Sequence, residues 1–272
     1  MTNIFYPFIA KNKMVILDGA LATELEKRGA DLNDQLWSAK LLMENPALIK
    51  QVHADYLEAG ADVITSASYQ ASMEGFAKRR LSAGQSAQLM QLSIDLCLQA
   101  KEEVIKKKSL KEPLPLVAAS IGPYGAYLAN GAEYTGDYGI GIEALKNFHR
   151  PRMEVLYDSG ADFFACETIP SLEEGIALLQ LLKEFPNRQA WLSFSCRDSL
   201  HTCHGEHITE VAALANQSDQ IAAIGINCTS PEFVASLIKE IKNATSKPVL
   251  AYPNLGEKYD AVNKCWLRGE HS

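Results

Sequence analysis

The sequence lacks several features that mark particular classes of protein. No run approaches the roughly 20 apolar residues that a membrane-spanning helix needs, and residues 1–13 lack the regions of a secretory signal peptide. Basic residues are few, 26 against 33 acidic ones, which gives a net charge of −7. Because nucleic-acid-binding proteins present a clustered basic face, this balance argues against a nucleic-acid partner. We therefore expect a cytoplasmic protein that binds neither membranes nor nucleic acids.

Paired cysteines and a dinucleotide fingerprint are also absent. The six cysteines, at positions 97, 166, 196, 203, 228 and 265, form no Cys-x-x-Cys pair, so they are predicted to be reduced thiols rather than a disulfide framework. No Gly-x-Gly-x-x-Gly follows the first predicted strand, which disfavours a dinucleotide-binding doubly wound sheet. A chain of 272 residues with 47% apolar residues is typical of one large globular domain, here residues 1–272.

Short β-branched runs alternate with longer amphipathic segments along the whole chain. Alternation of this kind predicts a parallel sheet in an α/β protein. The strands are apolar on both faces, as expected when side chains fill a barrel and also meet outer helices. We therefore predict a (β/α)8 TIM barrel. The predicted strands are Met14–Asp18, Val63–Tyr69, Leu116–Ile121, Phe163–Thr168, Ala190–Cys196, Ile221–Cys228 and Pro248–Pro253.

The eighth strand and helix of such a barrel are missing from the prediction. The segment after Pro253 is polar and offers neither element. An unclosed barrel exposes two apolar edges, which natural proteins cover. We expect the segment Ile4–Ile9, or a second copy of the chain in a homo-oligomer, to do so.

Four polar residues end or follow predicted strands, namely Asp18, Glu167, Asn227 and Cys228. The carboxyl ends of barrel strands form the active-site face, so Cys228 is a candidate nucleophile or metal ligand. Asp18 has an alternative interpretation as a helix N-cap. Glu167 ends an apolar strand, where a carboxylate is costly without a partner. Together the two carboxylates are candidates for binding the ammonium group of an amino acid.

A glycine-rich loop after the third predicted strand carries four tyrosines. Tyr124 and Tyr127 come first, and Tyr134 and Tyr138 follow. Tyrosine rings attract cations, so we take Tyr124 and Tyr127 as candidate substrate-binding residues. The alternative is that the rings anchor the loop by packing.

A second cluster follows the fifth predicted strand. It contains His201, Cys203, His204 and His207, side chains of the type that bind metals. Gly205 lies inside the cluster and argues against a fixed ligand geometry. A metal hydrolase built on these residues is therefore a minor alternative function.

Several motifs, taken in their order and spacing, resemble those of homocysteine S-methyltransferases over residues 14–266. The resemblance is strongest to the branch that uses S-methylmethionine as methyl donor. Each motif is weak alone, but the set is specific. The motifs are Leu17-Asp18-Gly19-Ala20, Asp31–Ser38, Ser68-Tyr69-Gln70, Ile121–Tyr127, Cys166-Glu167-Thr168, Gly225-Ile226-Asn227-Cys228 and Tyr252-Pro253-Asn254.

The resemblance implies a zinc-dependent barrel whose metal is held by three cysteine thiolates. Cys228 would be the first of them, and Asn227 would support the metal loop. Asp18 and Glu167 match positions that bind homocysteine. The implied reaction moves a methyl group from S-methylmethionine, or S-adenosylmethionine, to zinc-bound homocysteine and gives methionine, with no residue acting as general base on the sulfur.

One departure from the family pattern affects the metal. The other two thiolates belong to a Gly-Gly-Cys-Cys motif that does not occur in this sequence, and the chain reads as C-terminally truncated relative to the family. We therefore expect an incomplete zinc centre. The alternative function is a catalytically defective barrel that retains amino-acid binding without the zinc.

Overall fold

The computed structural model describes residues 1–32, 37–254, 258–260 and 265–267. Residues 33–36, inside one of the motifs of the resemblance, lie outside the described residues, as do residues 268–272. The chain divides into two compact units. Unit 1 comprises Met1–Ile121 and His149–Ala165, and unit 2 comprises Gly122–Phe148 and Cys166–Ser272. Each unit is described by itself, and the single domain predicted for residues 1–272 stays a prediction.

Unit 1 contains the first strands of the parallel sheet. Strand β1 (Val63–Thr65) pairs in parallel with β2 (Leu116–Ile121), with Val63 opposite Leu116. The first three residues of β3 (Phe163–Ile169) follow β2 in strand order. The helices of unit 1 are α1 (Tyr6–Asn12), α2 (Leu21–Lys27), α3 (Leu41–Glu44), α4 (Pro46–Ala59), α5 (Met73–Lys78) and α6 (Ala83–Lys108), with a 3-10 helix at Trp37–Lys40.

Unit 2 contains the later strands of the chain. The second half of β3 is followed by β4 (Ala190–Phe194), β5 (Ile221–Asn227) and β6 (Val249–Tyr252), and β4, β5 and β6 pair in parallel. Its helices are α7 (Tyr124–Leu128), α9 (Leu172–Leu182), α10 (Ile208–Ala212) and α11 (Pro231–Ala244), with 3-10 helices at Ala132–Tyr134 and Ala213–Gln217. Helix α8 (Ile142–Tyr157) contributes residues to both units.

The α/β class is confirmed, with parallel strands in sequence order and helices between them, as in a barrel of the predicted type. The first predicted strand, Met14–Asp18, is the exception, because it forms only one parallel bridge, from Leu17 to Val63. Two of its apolar side chains, Met14 and Ile16, are 61% and 49% exposed. The segment is therefore less buried than β2, whose residues are all buried. No helix in the described part of the chain is long and apolar enough to cross a bilayer.

The segment after Pro253 contains two short strands that the sequence analysis did not identify. Strands β7 (Lys258–Asp260) and β8 (Cys265–Leu267) pair antiparallel in a sheet of their own. Antiparallel strands need only a short connection, whereas a further parallel barrel strand requires a long crossover. Two three-residue strands are too short for a periodic sequence pattern to reveal them.

The N-terminal segment Ile4–Ile9 runs into α1. The Phe5 ring packs edge-on against Phe163, the first residue of β3, with ring centroids 5.2 Å apart. Phe5 and Phe8 are both buried. The segment therefore contacts the amino end of β3, and the predicted covering of an open sheet edge by it or by a second copy stays a prediction.

A repeated tetrapeptide, Ala-Gly-Ala-Asp or Ser-Gly-Ala-Asp, leads into β1 and β3. Gly60 and Gly160 take left-handed φ angles of 107° and 90°, which end the preceding helices at little steric cost. The aspartate then accepts a backbone hydrogen bond from a neighbouring segment. Asp62 Oδ2 lies 2.8 Å from the backbone nitrogen of Ile16, and Asp162 Oδ2 lies 2.7 Å from that of Val117. The motif therefore sets both the helix end and the start of strand pairing.

Gly225 permits the close approach of β5 and β6 in unit 2. It stands opposite Leu250 in the register of this pair. A Cβ atom at position 225 would overlap the backbone carbonyl of Leu250, which has no flexible end that could move aside. The absence of a side chain here is therefore a packing requirement of the strand that ends at Asn227.

We expect Gly225→Ala to lower the free energy of unfolding by about 1 to 3 kcal/mol, the usual cost of forcing extra atoms into a packed core. Gly84→Ala in α6 is the matched control, because nothing lies within 4 Å of a Cβ at that position. Urea denaturation of both variants measures the effect. Equal midpoints for the two variants would contradict the packing argument.

His53 in α4 is a second stability determinant, in unit 1. It is fully buried, and neither ring nitrogen has a hydrogen-bond partner within the described residues. Burial lowers its pKa from 6.5 to about 4. The unfolded chain therefore binds the proton more readily than the folded one between these two pH values, so stability falls as the pH drops through this window.

We expect His53→Leu to remove this dependence. The wild-type chain should lose up to about 3 kcal/mol of His53-linked stability between pH 6.5 and pH 4, the free energy that such a pKa difference represents. Urea denaturation as a function of pH, with pH 8 as the reference where His53 is neutral in both states, measures it. If the free energy of unfolding falls equally in the two proteins as the pH is lowered, His53 is not the cause of the pH dependence.

Candidate active site

The side-chain amide of Asn227 joins three strands of unit 2. Its Oδ1 atom accepts hydrogen bonds from the backbone N–H of Thr168 at 2.8 Å and from the Ser193 hydroxyl at 2.7 Å. Its Nδ2 atom donates to Thr168 Oγ1 at 2.7 Å. Thr168 belongs to β3, Ser193 to β4 and Asn227 to β5, and all three are buried. Satisfied networks of this kind rigidify the strand ends that carry them.

The Cys228 thiol is oriented by the same network. Its sulfur accepts hydrogen bonds from Asn227 Nδ2 at 3.2 Å and from Thr168 Oγ1 at 3.6 Å. The backbone N–H of Cys228 donates to the carbonyl of Tyr252 in β6 at 3.3 Å. Thr168 and Cys228 have left-handed φ angles of 60° and 48°. Such angles are unusual outside glycine, and strained residues of this type concentrate at functional sites.

Burial raises the pKa of Cys228 to about 11. The nearby negative charge of Glu167 raises that pKa further, whereas the hydrogen bonds from Thr168 and Asn227 lower it. A thiol with this pKa carries its proton at neutral pH. A positive charge near the sulfur is therefore needed to produce the thiolate, which is the form that binds metals and attacks carbon.

Glu167 places a buried carboxylate beside the thiol. It is 9% exposed, and the Tyr252 hydroxyl donates to its Oε2 atom at 2.9 Å. Burial and the charge of Glu167 raise the pKa of Tyr252 well above its usual value, so the phenol stays a neutral donor. A neutral donor orients the carboxylate and leaves its negative charge in place for a cation.

Asp18 lies in unit 1, where its carboxylate binds the end of β1. Its Oδ2 atom accepts from the backbone N–H of Thr65 at 2.7 Å, and its Oδ1 atom from the Thr65 hydroxyl at 3.1 Å. The alternative interpretation as an N-cap is wrong. The cap residue of α2 is Ala20, and no side-chain hydrogen bond caps this helix.

Three of the four tyrosines in the loop after β2 form a ring cluster with Phe148 in unit 2. The Tyr124 ring lies 5.7 Å from Tyr127, 5.3 Å from Tyr138 and 4.9 Å from Phe148. The packing interpretation is therefore correct for these rings. Tyr124 and Tyr127 are half-buried, so each also presents part of its side chain to solvent.

Glu174 ties this ring cluster to the start of α9. Its carboxylate is fully buried and accepts from the backbone N–H of Tyr124 at 2.6 Å and from the Tyr138 hydroxyl at 3.0 Å. Burial, and then the charge of Glu174, raise the pKa of Tyr138 strongly, which keeps this hydroxyl protonated as a donor. The loop is thus held by a charged hydrogen bond.

The histidine cluster forms a hairpin-like loop whose rings have separate partners. His201 Nδ1 lies 3.0 Å from both carboxylate oxygens of Asp198, and His204 Nδ1 lies 2.8 Å from Glu206 Oε1. His207 Nδ1 lies 2.8 Å from Thr209 Oγ1. The structure therefore gives no support to a metal hydrolase built on these rings.

The predicted zinc site is tested by the donors that the structure brings together. Within the described residues, no group of three His, Cys, Asp or Glu side chains is arranged to hold a metal ion. Cys228 supplies one thiol, and a catalytic zinc site needs about three protein ligands. The side chain of Cys265, the sixth cysteine of the sequence, is not among those that the structure describes. The described residues alone thus do not fit zinc.

Sequence reasoning missed several partners of the site. Thr168 and Tyr252 stand in quoted motifs, Cys166-Glu167-Thr168 and Tyr252-Pro253-Asn254, so the motifs could have indicated them. Ser193 lies in the middle of an apolar strand with no distinguishing neighbour. Its contact with Asn227, 34 residues away, follows from strand order rather than from local sequence.

Comparison with known proteins identifies the family of this arrangement. Residues 15–271 match the family described as homocysteine S-methyltransferase. The chain belongs to the homocysteine S-methyltransferase family. The resemblance drawn from the motifs is thereby confirmed.

Individual members of the family are similar over most of the chain. Homocysteine S-methyltransferase YbgG of Bacillus subtilis (strain 168) is 52% identical over 93% of this chain and 81% of its own length. Homocysteine S-methyltransferase of Escherichia coli (strain K12) is 48% identical over 96% and 84%. The crystal structure of homocysteine methyltransferase MmuM from Escherichia coli in its metallated form has a TM-score of 0.89 at 46% identity, covering 93% of this chain and 87% of that one.

We expect Asn227→Leu to lower the free energy of unfolding by about 3 kcal/mol or more, because it leaves several buried polar groups on Thr168 and Ser193 without their partner. Asn243→Leu in α11 is the control, since Asn243 is exposed and surface changes usually have small effects. Urea denaturation compares the two. A loss no larger than that of the control would show that the network contributes little to stability.

Proposed function

We propose that this chain transfers a methyl group from a sulfonium donor, S-methylmethionine or S-adenosylmethionine, to the sulfur of homocysteine, giving methionine. The observation that carries the proposal is the buried cluster of Glu167, Asn227 and Cys228 at strand ends of unit 2, in a chain of the homocysteine S-methyltransferase family.

The reaction needs no covalent bond to the protein. The thiol of homocysteine releases its proton to water, and the sulfur attacks the methyl carbon of the donor in line. The bond between that carbon and the donor sulfur breaks, and the donor leaves as a neutral thioether, which is methionine when S-methylmethionine is used. Holding two substrates in line supplies much of the acceleration in such transfers, so the protein acts mainly by positioning.

Glu167 is the proposed binding group for the ammonium of homocysteine. Its buried carboxylate is oriented by the Tyr252 hydroxyl, and charge-assisted hydrogen bonds to a carboxylate are about twice as strong as neutral ones. Asn227 and Thr168 fix the position of the Cys228 sulfur. Asp18 in unit 1 is also proposed to bind homocysteine, on the strength of its match to the family motif.

Zinc enters the proposal through Cys228. A metal bound there would supply the positive charge that this thiol lacks, and would keep the homocysteine sulfur as a thiolate. The described residues provide one ligand and not a set, so no step of the reaction is assigned to the metal.

The incomplete ligand set favours a second candidate function. A chain that binds amino acids at Glu167 and the ring cluster but holds no metal would bind homocysteine or the donor without turnover. The cysteines that the structure describes with side chains are free thiols, which supports the proposal of a cytoplasmic protein.

Methionine formation from homocysteine and each sulfonium donor, measured together with zinc per chain by elemental analysis, separates the two functions. Turnover together with about one zinc ion per chain, the number that a single catalytic site implies, would establish the methyltransferase. Cys228→Ala should lose both. Cys97→Ala is the control, since this buried cysteine lies in α6 of unit 1 and should keep both.

Two results would count against the methyltransferase. Donor or homocysteine binding by calorimetry, with neither zinc nor methionine formation, would establish the binding protein instead. Turnover that persists in Cys228→Ala would show that this thiol is not required.

A further inference from the structure

Glu133 occupies a firmly held position in the loop after β2. It lies in the 3-10 helix Ala132–Tyr134. The Ser195 hydroxyl, just after β4, donates to its backbone carbonyl at 3.2 Å. Gly125 of α7 lies so close on the other side that a Cβ there would overlap the backbone nitrogen of Glu133. The backbone of Glu133 is thus clamped between two elements of unit 2, and precise binding groups require such support.

The part-buried carboxylate of Glu133 differs from the buried carboxylates of Glu167 and Glu174 in this unit. Its Oε2 atom is buried, and no hydrogen-bond partner for it occurs in the part of the chain that the structure describes. Glu167 and Glu174, by contrast, both accept hydrogen bonds from tyrosine hydroxyls. A buried polar atom without a partner costs free energy, and burial raises the pKa of Glu133. A cation that reached this oxygen would remove both penalties.

Hydrogen bonds place Glu133 beside the region already described. Ser195, whose hydroxyl donates to the carbonyl of Glu133, also accepts from the backbone N–H of Cys203 at 2.9 Å. Burial raises the pKa of Tyr138, a member of the ring cluster, and that of Cys203, and the charge of Glu133 raises both further. Glu133 therefore lies near both the ring cluster and the segment that carries Cys203. Carboxylates and aromatic rings are the two kinds of group that attract organic cations.

We propose that Glu133 is a specificity-determining residue that binds the cationic end of the methyl donor, while Glu167 binds the ammonium group of homocysteine. The inference rests on the proposed function. Homocysteine carries an ammonium group, and the donor carries both an ammonium group and a sulfonium, so a site that accepts them together needs a separate negative group for each substrate. The two carboxylates meet this need because they have different surroundings, Glu167 beside Cys228 and Tyr252, and Glu133 beside Cys203 and Tyr138.

Steady-state kinetics of the full chain with homocysteine and S-methylmethionine test the assignment. We expect Glu133→Gln to raise the KM for the donor by about tenfold to a hundredfold, the usual effect of losing a hydrogen bond to a charged group, and to leave the KM for homocysteine unchanged. Glu167→Gln should do the reverse. Glu143→Gln is the control, because Glu143 is exposed and pairs with Lys146 at the surface, and it should alter neither KM.

The outcomes separate failure of this inference from failure of the proposed function. If the wild-type chain turns over and Glu133→Gln leaves the donor KM unchanged, or raises both KM values equally, the inference is wrong. If the wild-type chain forms no methionine, calorimetric titration with S-methylmethionine replaces kinetics, and weaker donor binding by Glu133→Gln still supports the assignment. Equal donor affinity of the two proteins overturns it.

A second variant is used if the first does not fold. If the circular dichroism spectrum of Glu133→Gln differs from that of the wild-type chain, Glu133→Asp replaces it. This variant keeps the carboxylate but shortens the side chain by one methylene. The same selective rise in the donor KM is then expected, and an unchanged donor KM rejects the role.

Discussion

The hydrogen bonds of the Asn227 amide determine much of the structure around the candidate site. One side chain satisfies a backbone N–H and a hydroxyl of Thr168, the hydroxyl of Ser193 and the sulfur of Cys228. These groups come from three neighbouring strands and the residue after the third. Because a partly satisfied buried network is worse than none, the strand ends must keep their relative positions. The left-handed conformations at Thr168 and Cys228 are held by this requirement.

Three glutamates of unit 2, Glu133, Glu167 and Glu174, have different hydrogen-bond partners, and these differences suit them to different roles. Glu174 is fully engaged, with one oxygen on a backbone N–H and the other on a tyrosine, so its effect is to hold the loop. Glu167 has a neutral donor and a neighbouring thiol, an arrangement suited to a bound cation. Glu133 has an oxygen with no hydrogen-bond partner within the described residues. Glu167 and Glu133 are therefore the two carboxylates that we propose to bind substrates.

Burial accounts for the agreement between prediction and structure in some segments but not in β1, which ends at Thr65 although Ser66 and Ala67 are buried. β2 has the predicted bounds because all its residues are buried, so that apolar character marks its full length. The predicted strand at Met14–Asp18 shrank to one bridge because two of its apolar side chains are exposed. The rings of the tyrosine loop pack on one another, as aromatic residues near one another in sequence often do, and substrate binding by Tyr124 and Tyr127 stays a prediction.

By itself the sequence determined the alternation of strands and helices, the polar residues at the strand ends, and the family. These features are local, or depend on the order of motifs, and hydrophobic periodicity carries them. Only the tertiary structure decided that Asn227 meets Thr168, 59 residues away. It also decided that each histidine Nδ1 atom of the loop has its own hydrogen-bond partner, and that Glu133 Oε2 has none within the described residues. Such contacts depend on strand register and loop packing, which arise from the cooperative fit of the whole core rather than from any one segment.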